Sequence, residues 1–444
     1  MSVGRVRYAR NGDIRLAYRV MGEGDIPIVL VPGWVSNVDL YDDPTSVYSG
    51  IAERLSRNTR LVVWDKRGTG LSDPVTHVPP IDERMDDLRA VLDAADVDFP
   101  ALFGISEGGP MSIVFAATYP DRVRSLVLAG TTARFSQDLP DRPWGFTPEQ
   151  IAAGYEEVEN HWGEGALAEL FFGPVADIPG VRDMWGKEQR ASASPLMARL
   201  MWQAVAEIDV RGVLGSVRTP TLVLTRRGDR IAAFEGAVEL AERIPNAELQ
   251  EFAPGEHYAS DLVDLFSEAV LKFVGQQADA EPADRVLSTV LFTDIVGSTE
   301  LLAAGGDEHW RRALDDHDRL VDNVLSRYGG RRAKHTGDGV FALFDGPTKA
   351  ARCGLDLVPA LATHGIPIRA GVHIGECEKR GDEWSGMAVH VGARIGAMAG
   401  AGEVLTSRTV RDLSAGSGLV FEGIGLHRLK GLPEDTEVFR VKVA

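Results

Sequence analysis

The chain has 444 residues, more than one hydrophobic core usually holds, so two domains are expected and three are possible. With 44% hydrophobic and 25% charged residues it has the composition of an ordinary globular protein, and a formal charge of −18 argues against a nucleic-acid or anionic-membrane surface, because phosphates would be repelled on average. Two cysteines, Cys353 and Cys377, support no disulfide framework, no apolar run approaches the ~18 residues of a membrane span, and a cytoplasmic protein is expected.

Short apolar runs at Ile28 to Val31, Arg60 to Trp64, Ala101 to Gly104, Ser125 to Ala129 and Thr221 to Thr225 alternate with longer helical patterns. That alternation predicts βαβ units around a mostly parallel sheet. From about Phe135 to Val213 the strand signal lapses, and a helical cap is expected there. A polar stretch without apolar period, residues 276–285 with Pro282, reads as a linker between a first domain at 1–275 and a second at 286–444. Beyond it, Arg331 to Thr336 and Val340 to Phe344 flank a Gly-Asp-Gly turn like a hairpin, which favours a smaller α+β domain.

Within the first domain, Ser106 stands in a Gly-x-Ser-x-Gly setting between a strand-like run and a helical one, where small neighbours permit a strained, exposed turn. A serine nucleophile needs a base, and the base needs an anion to hold its tautomer. Of the three histidines there, His77 precedes the serine, His161 falls in the cap and His257 comes late; the run Thr221 to Thr225 leads into Asp229. Ser106, Asp229 and His257 follow the chain order expected of an α/β-hydrolase. From about Val6 to Val274 the chain resembles that superfamily, also through WDKRGTGLS (Trp64 to Ser72) and VLVPGW (Val29 to Trp34). The resemblance implies an oxyanion hole from the backbone N–H groups of Trp34 and Glu107, and a small ester or lipid-like ligand. Two positions depart from its pattern: Pro32-Gly33 replaces the usual His-Gly, and Glu256 stands where glycine often precedes the histidine.

In the second domain, Asp294 in FTDIVGST (Phe292 to Thr299) and Asp338 in KHTGDG (Lys334 to Gly339) sit where apolar runs break into glycine-rich backbone. Two hard carboxylates, with Gly297, Ser298 and Thr299 heading an amphipathic run through Tyr328, suit a metal-bound polyphosphate. With Gly386 to Arg394 and Leu429 to Leu432, these stretches resemble a class III nucleotidyl cyclase catalytic domain over almost all of 286–442. The resemblance implies a ferredoxin-like βαββαβ core, pairing as a homodimer, and sites shared between two chains. It makes Asp294 and Asp338, with the Ile295 carbonyl, ligands of two Mg²⁺ or Mn²⁺ ions, and gives Arg394 and Lys430 to the phosphates of ATP from the partner side. Lys334 and Glu383 fall at the base-reading positions, and an anionic acceptor suits the N6 amine of adenine while repelling the O6 of guanine. His390 stands where the family usually has an asparagine.

The leading reading is an adenylate cyclase with a hydrolase-like N-terminal domain. Two others stay open: a serine esterase carrying a weak or inactive cyclase, and a hydrolase-fold ligand sensor that controls the cyclase.

Overall fold

The computed structural model describes residues 4–258, 260–282, 285–335, 339–380, 383–430 and 435–443, and the chain divides between Pro282 and Arg285 into two compact units. The first unit is built on strands β1 (Arg7–Asn11), β2 (Ile14–Met21), β3 (Pro27–Val31), β4 (Arg60–Trp64), β5 (Ala101–Ile105), β6 (Ser125–Ala129), β7 (Thr221–Arg226) and β8 (Ala247–Phe252). They form one eight-stranded sheet in the order β1-β2-β4-β3-β5-β6-β7-β8. All neighbours from β4 to β8 are parallel, and the β1–β2 hairpin is antiparallel at one edge. The central strands are covered on both faces, so they read as unbroken apolar runs such as SLVLA in β6, every residue of which is buried.

Helices α1 (Val47–Ser56), α2 (Ile81–Ala94) and α3 (Gly108–Thr118) belong to this αβ layer. Helix α3 is apolar all round and buried along its whole length, which is why it shows no amphipathic stripe. Between β6 and β7 come α4 (Pro148–His161), α5 (Ala168–Phe172), α6 (Val181–Ser192) and α7 (Pro195–Glu207), the helical insertion expected over the sheet. Thr147 and Gln150 close a capping box on α4, and Ser194 with Pro195 starts α7. Helices α8 (Phe234–Arg243) and α9 (Ser260–Gln276) complete the unit.

The second unit contains β9 (Arg285–Ile295), α10 (Ser298–Arg327), β10 (Arg331–His335), β11 (Val340–Phe344), α11 (Pro347–Ala362) and β12 (Ile368–Arg380). After these come β13 (Glu383–Ser385), α12 (Met387–Met398), β14 (Val404–Ser407), α13 (Arg408–Leu413), β15 (Leu419–His427) and β16 (Thr436–Val443). The sheet runs β10-β11-β9-β12-β14-β16-β15, with β13 paired to β12. Its first four strands, with α10 and α11, are the ferredoxin-like βαββαβ core; the remaining strands extend it. The hairpin expected around the Gly-Asp-Gly turn is β10–β11, with a register shift between Arg332 and Lys334. Across β9 and β11, Phe292 and Phe341 stack with centroids 4.7 Å apart. Helix α12 lies against the sheet so closely that a Cβ on Gly371 would fall 2.1 Å from the Gly396 nitrogen, and only glycine permits that contact. The amphipathic run after Gly297 is helical through Arg327, but it breaks at Gly306, where φ is 70° and ψ 173°. Among the described residues no helix is long and apolar enough to cross a membrane.

Candidate active sites

Strand β5 delivers Ser106 into a turn with φ of +52°, a left-handed value that costs energy in a residue carrying a Cβ. Three hydrogen bonds hold it there. The Ser106 N–H donates to the Ala129 carbonyl at 3.0 Å, and the Ser106 carbonyl accepts from the Gly109 N–H at 3.0 Å and the Thr131 hydroxyl at 2.6 Å. A Cβ on Gly33 would lie 3.1 Å from the Ser106 Cβ, so the loop after β3 passes directly beside the serine.

Asp229 lies just beyond β7, and each of its oxygens is committed. Oδ1 accepts the N–H groups of Ile231 and Ala232 at 2.8 and 2.9 Å, while Oδ2 pairs with His257 Nδ1 at 2.8 Å. The carboxylate therefore holds the imidazole with its proton on Nδ1, leaving Nε2 free to accept one. That Nε2 is buried and has no hydrogen-bond partner. A Cβ on Gly130, at the end of β6, would come within 3.2 Å of the His257 ring and 3.6 Å of the Asp229 carboxylate. Since β5, β6 and β7 are neighbours, the Ser106 turn after β5 and the Asp229–His257 pair beyond β7 lie at the carboxyl edge of one parallel sheet. His77 and His161 are exposed.

An aromatic wall closes over this edge. Phe171 of α5 stacks on Trp34 at 6.0 Å and on Tyr258 at 5.4 Å, and meets the His257 ring edge-on at 5.7 Å. Trp34 also contacts Trp162 and Trp202 at 5.3 and 5.2 Å, and its indole N–H donates to the Ala198 carbonyl in α7. The wall is apolar, so it suits an uncharged group better than a charged one. Sequence reasoning did not single out Phe171; one phenylalanine in a cap carries no signal until α5 is placed.

In the second unit, β9 carries Asp294 one residue before its end, and the Ile295 side chain is buried. Asp294 faces Arg369 in register across β12, and its Oδ2 accepts from Arg369 Nε at 2.9 Å. Arg369 also donates to the Ala397 carbonyl at 3.0 Å. This clamp on the carboxylate was not anticipated, since a partner residue 75 positions away is set by register alone. Gly297 caps α10 with φ of +71°, which sets Ser298 and Thr299 in the first helical turn with N–H groups that lack intrahelical acceptors. Lys334 and Glu383 come together as a 3.8 Å ion pair, with side chains 68% and 82% exposed. His390 and Arg394 lie one turn apart on α12, the first exposed and the second half-buried, and Lys430 is exposed beyond β15. Asp338 lies outside the described residues, so its place beside Asp294 is not among the observed geometry. Among the described residues no group of three or more His, Cys, Asp or Glu side chains forms a metal cage.

A parallel sheet with a strained serine elbow and a buried Asp–His pair defines the hydrolase class of α/β protein. The family model of the alpha/beta hydrolase fold matches residues 26–262, over half the chain, and the chain belongs to that family. Residues 279–442 match the adenylate and guanylate cyclase catalytic domain, so a cyclase catalytic domain follows the hydrolase domain. The chain is 27% identical over 263 residues to the 2-hydroxy-6-oxo-2,4-heptadienoate hydrolase of Pseudomonas putida, covering 58% of this chain and 90% of that one. It is 28% identical over 236 residues to an AB hydrolase superfamily protein of Bacillus subtilis, covering 52% of this chain and 85% of that protein. Among solved structures, an esterase from Exiguobacterium antarcticum superposes with a TM-score of 0.55 at 22% identity, over 61% of this chain and all of that one, a likeness of fold.

Proposed function

We propose that the protein converts ATP to 3′,5′-cyclic AMP and pyrophosphate at a homodimeric cyclase domain, and that its N-terminal domain is a serine esterase. The hydrolase domain would extend to about residue 275, with the linker at 276–285 and the cyclase domain beyond it. The observation that carries the cyclase reading is the pairing of Lys334 with Glu383 in one chain. Two exposed side chains of opposite sign, 3.8 Å apart, offer a donor to N1 of adenine and an acceptor to its amine.

Asp294 and the neighbouring backbone fit divalent cations: the carboxylate is a hard oxygen donor, partly exposed at a strand end beside the head of α10. With the Ile295 carbonyl and Asp338 it would hold Mg²⁺ or Mn²⁺. Such ions lower the pKa of a ribose 3′-hydroxyl and neutralise a leaving pyrophosphate. Arg369 keeps the Asp294 carboxylate oriented, and the N–H groups of Ser298 and Thr299, in the first turn of α10, would meet phosphate oxygens. From the second chain, Arg394 would meet charge developing on the α-phosphoryl group and Lys430 the triphosphate, with His390 as the ribose contact. Purified protein given ATP and Mn²⁺ should form cyclic AMP, and Asp294→Ala should abolish it; unchanged turnover by that variant refutes the assignment.

In the esterase reading Ser106 attacks an acyl carbon, its proton passes to His257 Nε2, and the oxyanion rests on the Trp34 and Glu107 N–H groups. The orphaned His257 Nε2 and the fully committed Asp229 carboxylate favour working chemistry over a vestigial fold. Hydrolysis of p-nitrophenyl acetate, lost in Ser106→Ala, tests it. Hydrolysis that survives Ser106→Ala refutes Ser106 as the nucleophile, and a chain that cleaves no ester is instead a ligand sensor.

A further inference from the structure

Lys66 belongs to the WDKRGTGLS stretch, whose lysine no step of the chemistry above uses. It is 5% exposed, yet its ammonium ends among backbone carbonyls rather than in water. Nζ donates to the Gly33 carbonyl at 2.5 Å and to the Trp34 carbonyl at 3.2 Å. It also pairs with one carboxylate oxygen of Glu107, and Arg84 of α2 pairs with the other. Glu107 and Arg84 are 4% and 8% exposed, so the three charges form a closed buried cluster carrying one net positive charge.

The two chain segments joined by this cluster are the ones that supply the oxyanion donors. The Gly33 carbonyl and the Trp34 N–H belong to the same peptide group. A charge-assisted hydrogen bond at the oxygen of an amide draws electron density from its nitrogen and makes the N–H a stronger donor, which is the cooperative effect expected in a low-dielectric interior. Glu107, whose own N–H is the second donor, is fixed through its side chain by the same ammonium. A single cation thus sets the orientation of one donor peptide, raises its acidity, and ties it to the segment bearing the other.

We propose that Lys66 is a positioning residue of the esterase site, which acts by polarising the Gly33–Trp34 peptide and locking it to the nucleophile turn through Glu107. The inference rests on the esterase reading and adds to it a residue that touches no substrate. Its contribution is largest where negative charge peaks on the carbonyl oxygen, so the ground-state complex gains little from it.

The variants follow from the charge count. Lys66→Met removes the ammonium and leaves Glu107 and Arg84 as a neutral buried pair, so the fold has no uncompensated charge to expel. Arg84→Met removes the outer cation, which contacts neither donor peptide, and keeps the Lys66 bonds to Gly33, Trp34 and Glu107. Both variants and the full-length parent are compared by steady-state hydrolysis of p-nitrophenyl acetate, with near-ultraviolet circular dichroism of the tryptophan-rich wall and thermal unfolding as controls of folding. A trifluoromethyl ketone serves as the transition-state probe. Lys66→Met should lower kcat by about tenfold to a hundredfold, less than the loss of a whole oxyanion donor, with KM within about threefold. Its trifluoromethyl ketone inhibition constant should rise by the same factor as kcat/KM falls, and Arg84→Met should keep kcat within about threefold.

Equal losses of kcat in both variants, or a Lys66→Met defect confined to KM, overturn the proposal, because either marks a merely structural cluster. A Lys66→Met protein as active as the parent overturns it too, with the esterase reading intact. A parent that neither hydrolyses the ester nor binds the ketone overturns both together. Should Lys66→Met lose its near-ultraviolet signal, Lys66→Gln at the same position takes its place under the same criteria.

Discussion

Asp229→Asn provides the most severe test of the N-terminal site, because the structure dictates which way the new amide must point. In the parent, Oδ1 accepts two backbone N–H groups and Oδ2 faces His257 Nδ1. An amide nitrogen cannot accept, so the asparagine oxygen must take the Ile231 and Ala232 donors and its NH₂ must turn to His257. Nδ1 then becomes the acceptor, the imidazole proton moves to Nε2, and the nitrogen meant to take the serine proton is already protonated. In serine hydrolases generally this wrong tautomer costs about 10⁴-fold in kcat, or about 5–6 kcal/mol of barrier. The side chain is isosteric and keeps both backbone bonds, so folding should hold. The assay is p-nitrophenyl acetate hydrolysis across pH, with KM and the thermal midpoint measured alongside. A folded Asp229→Asn enzyme within about tenfold of the parent would refute the tautomer argument, and with it His257 as the base.

Phe171→Ala removes the ring between Trp34 and His257; it should cost about 3–5 kcal/mol if the cavity stays open, and raise the kcat/KM of hexanoate relative to acetate esters, as paired kinetics and melting would report. The Arg369–Asp294 pair has side chains 31% and 41% exposed, so Arg369→Met should move the thermal midpoint little, since such pairs contribute about 0–1 kcal/mol, yet lower cyclic nucleotide formation several-fold at fixed Mn²⁺ by freeing the carboxylate. Lys334→Ala should reduce kcat/KM for ATP by about tenfold to a hundredfold while sparing that for GTP, a loss matching one charged hydrogen bond, measured by product analysis on both nucleotides. His373 is held neutral by burial, with its pKa lowered to about 4, and its Nδ1 pairs with the Ser407 hydroxyl at 2.8 Å. The folded value lies below the unfolded one, so the stability it lends is complete above pH ~6.5 and is lost as pH falls toward 4, an effect of about 3 kcal/mol that denaturant melts across this range should show and His373→Asn should flatten.

The parallel strands of the hydrolase sheet were legible because burial on both faces leaves continuous apolar runs, and all five predicted runs lie wholly inside β3, β4, β5, β6 and β7. Strand β8 was not, because AELQEF at the sheet edge is mostly exposed and carries little apolar signal. The β1–β2 hairpin did have a signal, Asn11-Gly12 between alternating residues, with Gly12 at φ +59°. Of the added strands of the second sheet, β15 escaped for the reason β8 did, since it alternates weakly and is largely exposed, whereas β14 is buried but only four residues long. The Ser106 turn and the pairing of Asp229 with His257 could be read from chain order, since the residue types restrict the choice at each step. The contacts of Lys66, Phe171 and Arg369 could not, because each is made with a partner that sequence distance hides and folding supplies.

The central claim is that this chain makes a cyclic nucleotide from ATP with Asp294 at the reacting centre. The purified protein should be incubated with ATP and with GTP, each with Mn²⁺, and the products separated. The account predicts cyclic AMP and pyrophosphate in equal amounts from ATP, little product from GTP, and neither from Asp294→Ala. Cyclic GMP as the main product would contradict the base assignment, and cyclic AMP formed equally well by Asp294→Ala would contradict the account at its centre.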